Sequence, residues 1–210
     1  SVTEEEVLAN AKVMSEELLD LGWDTCVVDI QWYEPKANSS AYHKFTELNM
    51  DEYSRLIPAT NRFPSAVDGL GFKPLGDAIH DLGLKFGIHI MRGIPRQAVH
   101  NNTALLNSNY TARDIASANS IAPWNTDMYG VNPEHPGAQA YYDSIFELYA
   151  SWGVDYIKVD DIADSKLYGP HLEEIAMINK AIINSGRDMV LSLSPGPADV
   201  SQAGYYQKHA

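Results

Sequence analysis

The chain has 210 residues, 45% of them apolar, with 15 basic and 28 acidic side chains and a formal charge of −13. That length suits one large domain or part of a bigger one. The charge argues against nucleic acid, whose binding needs a basic face, and against an anionic membrane surface. No run is long and apolar enough to span a bilayer, and Ser1 leads directly into an acidic helix start, with no signal-peptide pattern. The single cysteine, Cys26, excludes an internal disulfide, which leans toward a reducing compartment or a bacterial source. Bacterial cytoplasm, periplasm and secretion all stay open. Sequons begin at Asn38, Asn101 and Asn109, but such tripeptides arise often by chance.

In chain order, Thr3-Glu-Glu-Glu6 is a capping box that opens a helix carrying Val7, Leu8, Ala11, Val13, Met14, Leu18 and Leu19, ending near Leu21-Gly22. Thr25-Cys-Val-Val-Asp-Ile30 reads as a strand buried on both faces. A polar, irregular stretch follows to about Gly71. Pro74 to Leu82 predicts a helix closed by Gly83, and Leu84 to Ile90 a second strand. Met91 to Pro136 reads as one long loop rich in Asn, Pro, Ser and aromatics. Gly137 to Trp152 is a predicted helix, Val154 to Asp160 a third strand, Leu172 to Asn184 a helix and Met189 to Ser194 a fourth strand.

Helix–strand alternation of this kind means an α/β protein with a parallel sheet. No strand leads into a Gly-rich phosphate turn, as a nucleotide-binding sheet usually would. Polar residues collect instead at the C-terminal strand ends, where (β/α)8 TIM barrels build their sites. Four repeats are expected in residues 1–210, so the fold expected is part of such a barrel, lacking its first strand and its last ones. An excised half-barrel would expose two sheet edges and apolar surface.

Side chains alternate along a strand, so Tyr156, Lys158 and Asp160 share the inward face of Val154-Asp-Tyr-Ile-Lys-Val-Asp160. Lys158 then sits roughly 6–7 Å below Asp160, where a cation favours the ionised carboxylate. That suits a nucleophile or a stabiliser of positive charge; a purely structural Lys–Asp pair fits equally well. Asp29 is a strand-end acid or a turn residue. His89 is a pocket wall or a satisfied core histidine. Trp32 and Trp124 stack on a sugar or fill the core. Asp161 points off the lysine face, as a turn residue or a support behind the site. Arg92 and Arg96 pair with these acids or lie in solvent.

These residues resemble glycoside hydrolase family 27, the α-galactosidase and α-N-acetylgalactosaminidase group. Leu21 to Trp32 resembles that family's second barrel strand, Arg62-Phe-Pro64 and Leu82 to Ile88 its third repeat, and Trp152 to Asp160 its nucleophile strand. The resemblance implies a retaining exo-α-glycosidase that releases terminal α-N-acetylgalactosamine or α-galactose by double displacement. It makes Asp160 the nucleophile. Lys158 and Asp29 become ligands of the sugar hydroxyls, with His89, Ser194 and Trp32 as further substrate-binding candidates. The acid/base carboxyl is then expected beyond Ala210, so the fragment alone is expected to be inactive, and the two carboxyls are expected about 5–5.5 Å apart.

The sequence departs from that family in four places. Ile30 stands where a second aspartate is common, and His89 where tyrosine is usual. Ile162 replaces a disulfide cysteine. Ser194 replaces a glutamate that contacts the sugar 2-hydroxyl, leaving room for an N-acetyl group. No cofactor or metal is expected. The expected partner is a carbohydrate substrate, with no nucleic acid and no membrane, and self-association into a homo-oligomer stays open. The competing readings are a non-catalytic carbohydrate-binding barrel and a metal-dependent lyase or hydrolase using Asp29, His89 and Asp160; Lys158 would repel that metal.

Overall fold

A computed structural model describes residues 2–38, 41–196 and 198–210. Ser1, the two serines of the first sequon (Ser39 and Ser40) and Pro197 lie outside the described residues. Thr3 caps helix α1 (Glu4–Val13) reciprocally with Glu6, as the capping box requires. The helix then departs from regular α geometry. It widens into a π turn over Met14–Leu18 and tightens into a 3-10 turn over Leu19–Leu21, before Gly22 ends it at φ 92°.

Strand β1 (Thr25–Val28), helix α2 (Lys73–Asp81) and strand β2 (Lys85–Met91) follow the expected alternation. The stretch expected as one loop is a small domain-like insertion. It holds β3 (Ile94–Pro95), α3 (Arg96–Asn101), α4 (Ala112–Ile115), β4 (Ala116–Ala122) and β5 (Asn125–Val131). Its strands form an antiparallel sheet in the order β3-β5-β4. Alternation fails to announce β4 because Ala-Ser-Ala-Asn-Ser-Ile-Ala carries little apolar or β-branched pattern and its register slips between Ser117 and Ile121. The alternation resumes with α5 (Pro136–Ser151), β6 (Tyr156–Asp160), α6 (Leu172–Ser185), β7 (Val190–Leu193) and a last helix, α7 (Ala203–His209).

The main sheet is parallel, in the order β1-β2-β6-β7. Strand order follows chain order, so each crossover advances the sheet in the same direction. Right-handed crossovers then place the helices on one face. That face is buried: Val28, Phe86, Ile88, Ile157 and Val159 are 0% exposed. The other face carries the rows Val27–Gly87–Tyr156–Val190 and His89–Lys158–Ser192, with Met91 beside Asp160 at the top. This corrects the expectation for β1. Val27 is 36% exposed, so only one face of the strand is packed. Among the described residues the sheet is open, with β1 and β7 at its edges.

Candidate active site

Parallel strands deliver their C-terminal ends to one rim, and the four polar strand ends meet there. Asp160 closes β6 with its side chain 15% exposed. One carboxylate oxygen, Oδ1, accepts the backbone N–H of Asp161 at 2.8 Å. The other, Oδ2, lies 3.4 Å from Nε2 of His89, one strand over on β2. Partial burial pushes the Asp160 carboxyl up, but the His89 contact, the Asp161 N–H and the charges of His89 and Lys158 outweigh it and hold the group below the usual carboxylate range. A half-buried carboxylate that stays ionised is competent as a nucleophile.

Lys158 acts on Asp160 through its charge, as its place one repeat below that acid suggests. Its ammonium does not hydrogen-bond Asp160 but reaches Asp29 at the end of β1, with Nζ 3.2 and 3.5 Å from the two carboxylate oxygens. Alternation along one strand suggested a Lys158–Asp160 pairing; β1 and β6 flank β2, so a long lysine crosses over Gly87 and His89 instead. His89 therefore does more than form a wall. It is 0% exposed and is the side chain that touches Asp160. Ser194 follows β7. Its N–H donates to the Val159 carbonyl, while its own carbonyl accepts from the N–H groups of Ile162 and Ala163, tying the chain after Asp160 to the next strand end.

Trp32 does not face the rim. It is 0% exposed, packed edge-on against Tyr33, Phe72 and Trp152, and its indole N–H donates to the His89 carbonyl at 2.7 Å. Its contribution is to hold the backbone of β2 beside the site. Trp124 is half-buried, lies with its ring 5.5 Å from that of Tyr42 and tilted 60° to it, and bonds the Asp161 carboxylate. Arg92 does pair with an acid, but with Asp161, whose carboxylate lies 2.9 Å from its Nη2. Arg96 instead lies over the Tyr129 ring, 4.5 Å from its centroid.

Sequence reasoning offered Arg92 as a partner of these acids and Asp161 as a support behind the site, but missed Glu174, which completes a cluster behind the rim. Arg92, Asp161 and Glu174 are each under 5% exposed. Burial pushes the carboxyls of Asp161 and Glu174 up, with Arg92 pulling them back down. Asp161 was visible as an off-face acid, and three buried charges within reach of a strand end are a usable signal only once α6 is placed over β6. No group of three His, Cys, Asp or Glu side chains converges into a cation site among the described residues.

No protein-family model matches the chain. Solved structures do. The chain is 66% identical to an aspartate-to-alanine variant of a glycoside hydrolase family 27 β-L-arabinopyranosidase from Geobacillus stearothermophilus, in complex with arabinose. That match covers 100% of this chain and 49% of the other, with a TM-score of 0.98. A Bacillus halodurans C-125 protein provisionally named an α-N-acetylgalactosaminidase is 70% identical over 95% of this chain and 46% of its own, with a TM-score of 0.87. Among curated proteins, alpha-galactosidase 3 of Hypocrea jecorina is 30% identical over 179 residues, 82% of this chain and 25% of that protein. The chain thus spans about half of the solved relatives and a quarter of the curated one.

Proposed function

We propose, because this chain belongs to glycoside hydrolase family 27, that the whole protein is a retaining exo-glycosidase and that residues 1–210 supply the nucleophile side of its (β/α) barrel. The observation that carries this reading is Asp160: a half-buried carboxylate at a strand tip, kept ionised, beside a Lys158–Asp29 pair able to hold sugar hydroxyls.

Asp160 attacks the anomeric carbon and forms an ester bond to the sugar. The bond from that carbon to the leaving oxygen breaks, and a second carboxylic acid, assigned by the resemblance to a strand outside these residues, gives that oxygen its proton. The same group then takes a proton from water as the water attacks the anomeric carbon. The ester bond breaks, Asp160 leaves as a carboxylate, and the sugar departs with its original configuration.

Two residues near the rim support a choice of terminal sugar. β-L-Arabinopyranose has the ring hydroxyl arrangement of α-D-galactose and lacks the exocyclic CH2OH. Ile30, beside Asp29, cannot accept a hydrogen bond from a 6-hydroxyl, whereas a second aspartate could. That favours a terminal β-L-arabinopyranoside, the sugar named for the Geobacillus relative. A second reading, α-N-acetylgalactosaminide, is favoured by the small Ser194 after β7 and by the provisional name of the Bacillus relative. The whole protein is assayed on nitrophenyl β-L-arabinopyranoside, α-D-galactopyranoside and α-N-acetylgalactosaminide. The expected order of kcat/KM puts the first ahead, with activity lost by at least about 10³-fold in Asp160→Asn. Hydrolysis of none of the three, or near-normal turnover by Asp160→Asn, overturns the reading.

A further inference from the structure

Arg92 is the first residue past β2 and is 2% exposed. Its backbone N–H continues the β2–β6 ladder by donating to the carbonyl of Asp160 at 3.1 Å. Its guanidinium turns back toward the next residue. Nε donates to the Asp161 carbonyl at 2.6 Å and to Asp161 Oδ2 at 3.1 Å, and Nη2 lies 2.9 Å from the same carboxylate oxygen. Nη1 reaches Ser120 on β4 at 3.0 Å and Glu174 in the first turn of α6 at 3.3 Å. Glu174 in turn accepts from the Tyr142 hydroxyl on α5 at 2.5 Å, and that hydroxyl accepts the N–H of Gly93 at 3.0 Å. The chain of contacts closes on itself, one residue from where it began.

This cluster grips a residue with unusual backbone. Asp161 has φ 59°, in the left-handed region that non-glycine residues seldom enter, although aspartate tolerates it better than most. In that conformation its N–H donates to Asp160 Oδ1 while its carbonyl and carboxylate face Arg92. His171, which lies 4.0 Å from Glu174, is pushed down to about 4 by burial and by the Arg92 charge, so it stays neutral and Arg92 is the cation of the cluster.

We infer that Arg92 and Asp161 are positioning residues for the nucleophile: the guanidinium fixes the left-handed turn at Asp161, and the turn fixes the carboxylate of Asp160 through the Asp161 N–H. A planar fork that serves a carbonyl, a carboxylate, a hydroxyl and a second carboxylate at once cannot be matched by an ammonium. The inference rests on Asp160 being the nucleophile, as proposed above.

The test uses the whole protein and dinitrophenyl β-L-arabinopyranoside, whose leaving group departs without acid assistance and so reports the attack by Asp160 itself. Asp161→Asn keeps the side-chain volume and a residue that accepts positive φ; Arg92→Lys keeps the charge. Each is expected to lower kcat/KM for this activated substrate by about 10–100-fold per folded molecule, since displacement of a reacting group by about 1 Å can cost about 10²-fold. The inhibition constant of the product L-arabinose is expected to stay close to wild type, because Arg92 and Asp161 are 2% and 1% exposed and lie behind the rim. Folded fraction is measured by thermal unfolding. If Asp161→Asn folds and both variants retain wild-type kcat/KM per folded molecule, or if only arabinose binding weakens, the positioning role is wrong. Asp160→Asn is run alongside. Full activity in that variant removes the nucleophile assignment itself, whereas an inactive Asp160→Asn with unaffected Arg92 and Asp161 variants removes only this inference.

Discussion

The ammonium of Lys158 lies 3.2 Å from Asp29 Oδ1, spanning from the third strand of the sheet to the first over the row that holds His89. Their side chains are 32% and 64% exposed, and a pair that open to solvent contributes at most about 1 kcal/mol to stability. Lys158→Met should therefore leave thermal unfolding nearly unchanged. If the pair instead holds sugar hydroxyls, losing a charged hydrogen bond of about 1.5–3 kcal/mol should lower kcat/KM by about 10–100-fold. Steady-state kinetics beside a melting curve separates the two roles; a large fall in melting temperature with kinetics intact would make the pair structural.

Burial pushes the Asp160 carboxyl up, and the His89 contact is the largest of the influences that pull it down. The groups facing that carboxylate are His89, the Asp161 N–H and, further off, Lys158. Burial alone would raise the group, so removing its first counterweight should raise it. His89→Leu is expected to move the acid limb of the kcat/KM profile to higher pH, because in the nucleophile role proposed for it the carboxylate must be ionised to attack and now protonates sooner. An acid limb that stays in place would show that the 3.4 Å contact does not matter in solution.

Ile30 should decide between pentose and hexose. Ile30→Asp restores an acceptor for a 6-hydroxyl, a charged hydrogen bond of about 1.5–3 kcal/mol. It is expected to raise the ratio of α-galactoside to β-L-arabinopyranoside kcat/KM by about 10–100-fold. An unchanged ratio would place the exocyclic group elsewhere in the pocket.

The opposite end of β6 carries a stability prediction. Asp155 accepts from Phe86 N–H at 2.9 Å, lies 2.7 Å from Nε2 of His80 and accepts from Arg187 at 2.5 Å, joining β2, α2 and the turn before β7. Burial raises this carboxyl, but these partners overcome it and leave the folded value below the unfolded one. Its stabilisation is thus fully present above the unfolded value of about 4 and is lost as pH falls through the lower, folded value. Asp155→Asn should destabilise by about 1–3 kcal/mol at pH 7. The gap from wild type, followed by thermal unfolding across pH, should close at low pH. A gap independent of pH would assign the loss to packing.

Much of this molecule was legible in the chain. The alternation of helix and strand, the acids at the strand tips and the motif Tyr156-Ile-Lys-Val-Asp160 placed the sheet and its polar rim, because period-2 patterning and burial depend on local neighbours alone. The resemblance supplied a role for Asp160. What the chain could not state were partners across strands. Whether Lys158 meets Asp160 or Asp29, whether Trp32 faces sugar or core, and that Arg92 turns back to hold Asp161 all depend on which strands lie side by side. The β3-β5-β4 insertion was likewise invisible, since its strands pair through the backbone and carry little side-chain pattern. Sequence fixes which face each side chain takes along its own element; only tertiary structure brings distant elements within the 3 Å or so over which hydrogen bonds and ion pairs act.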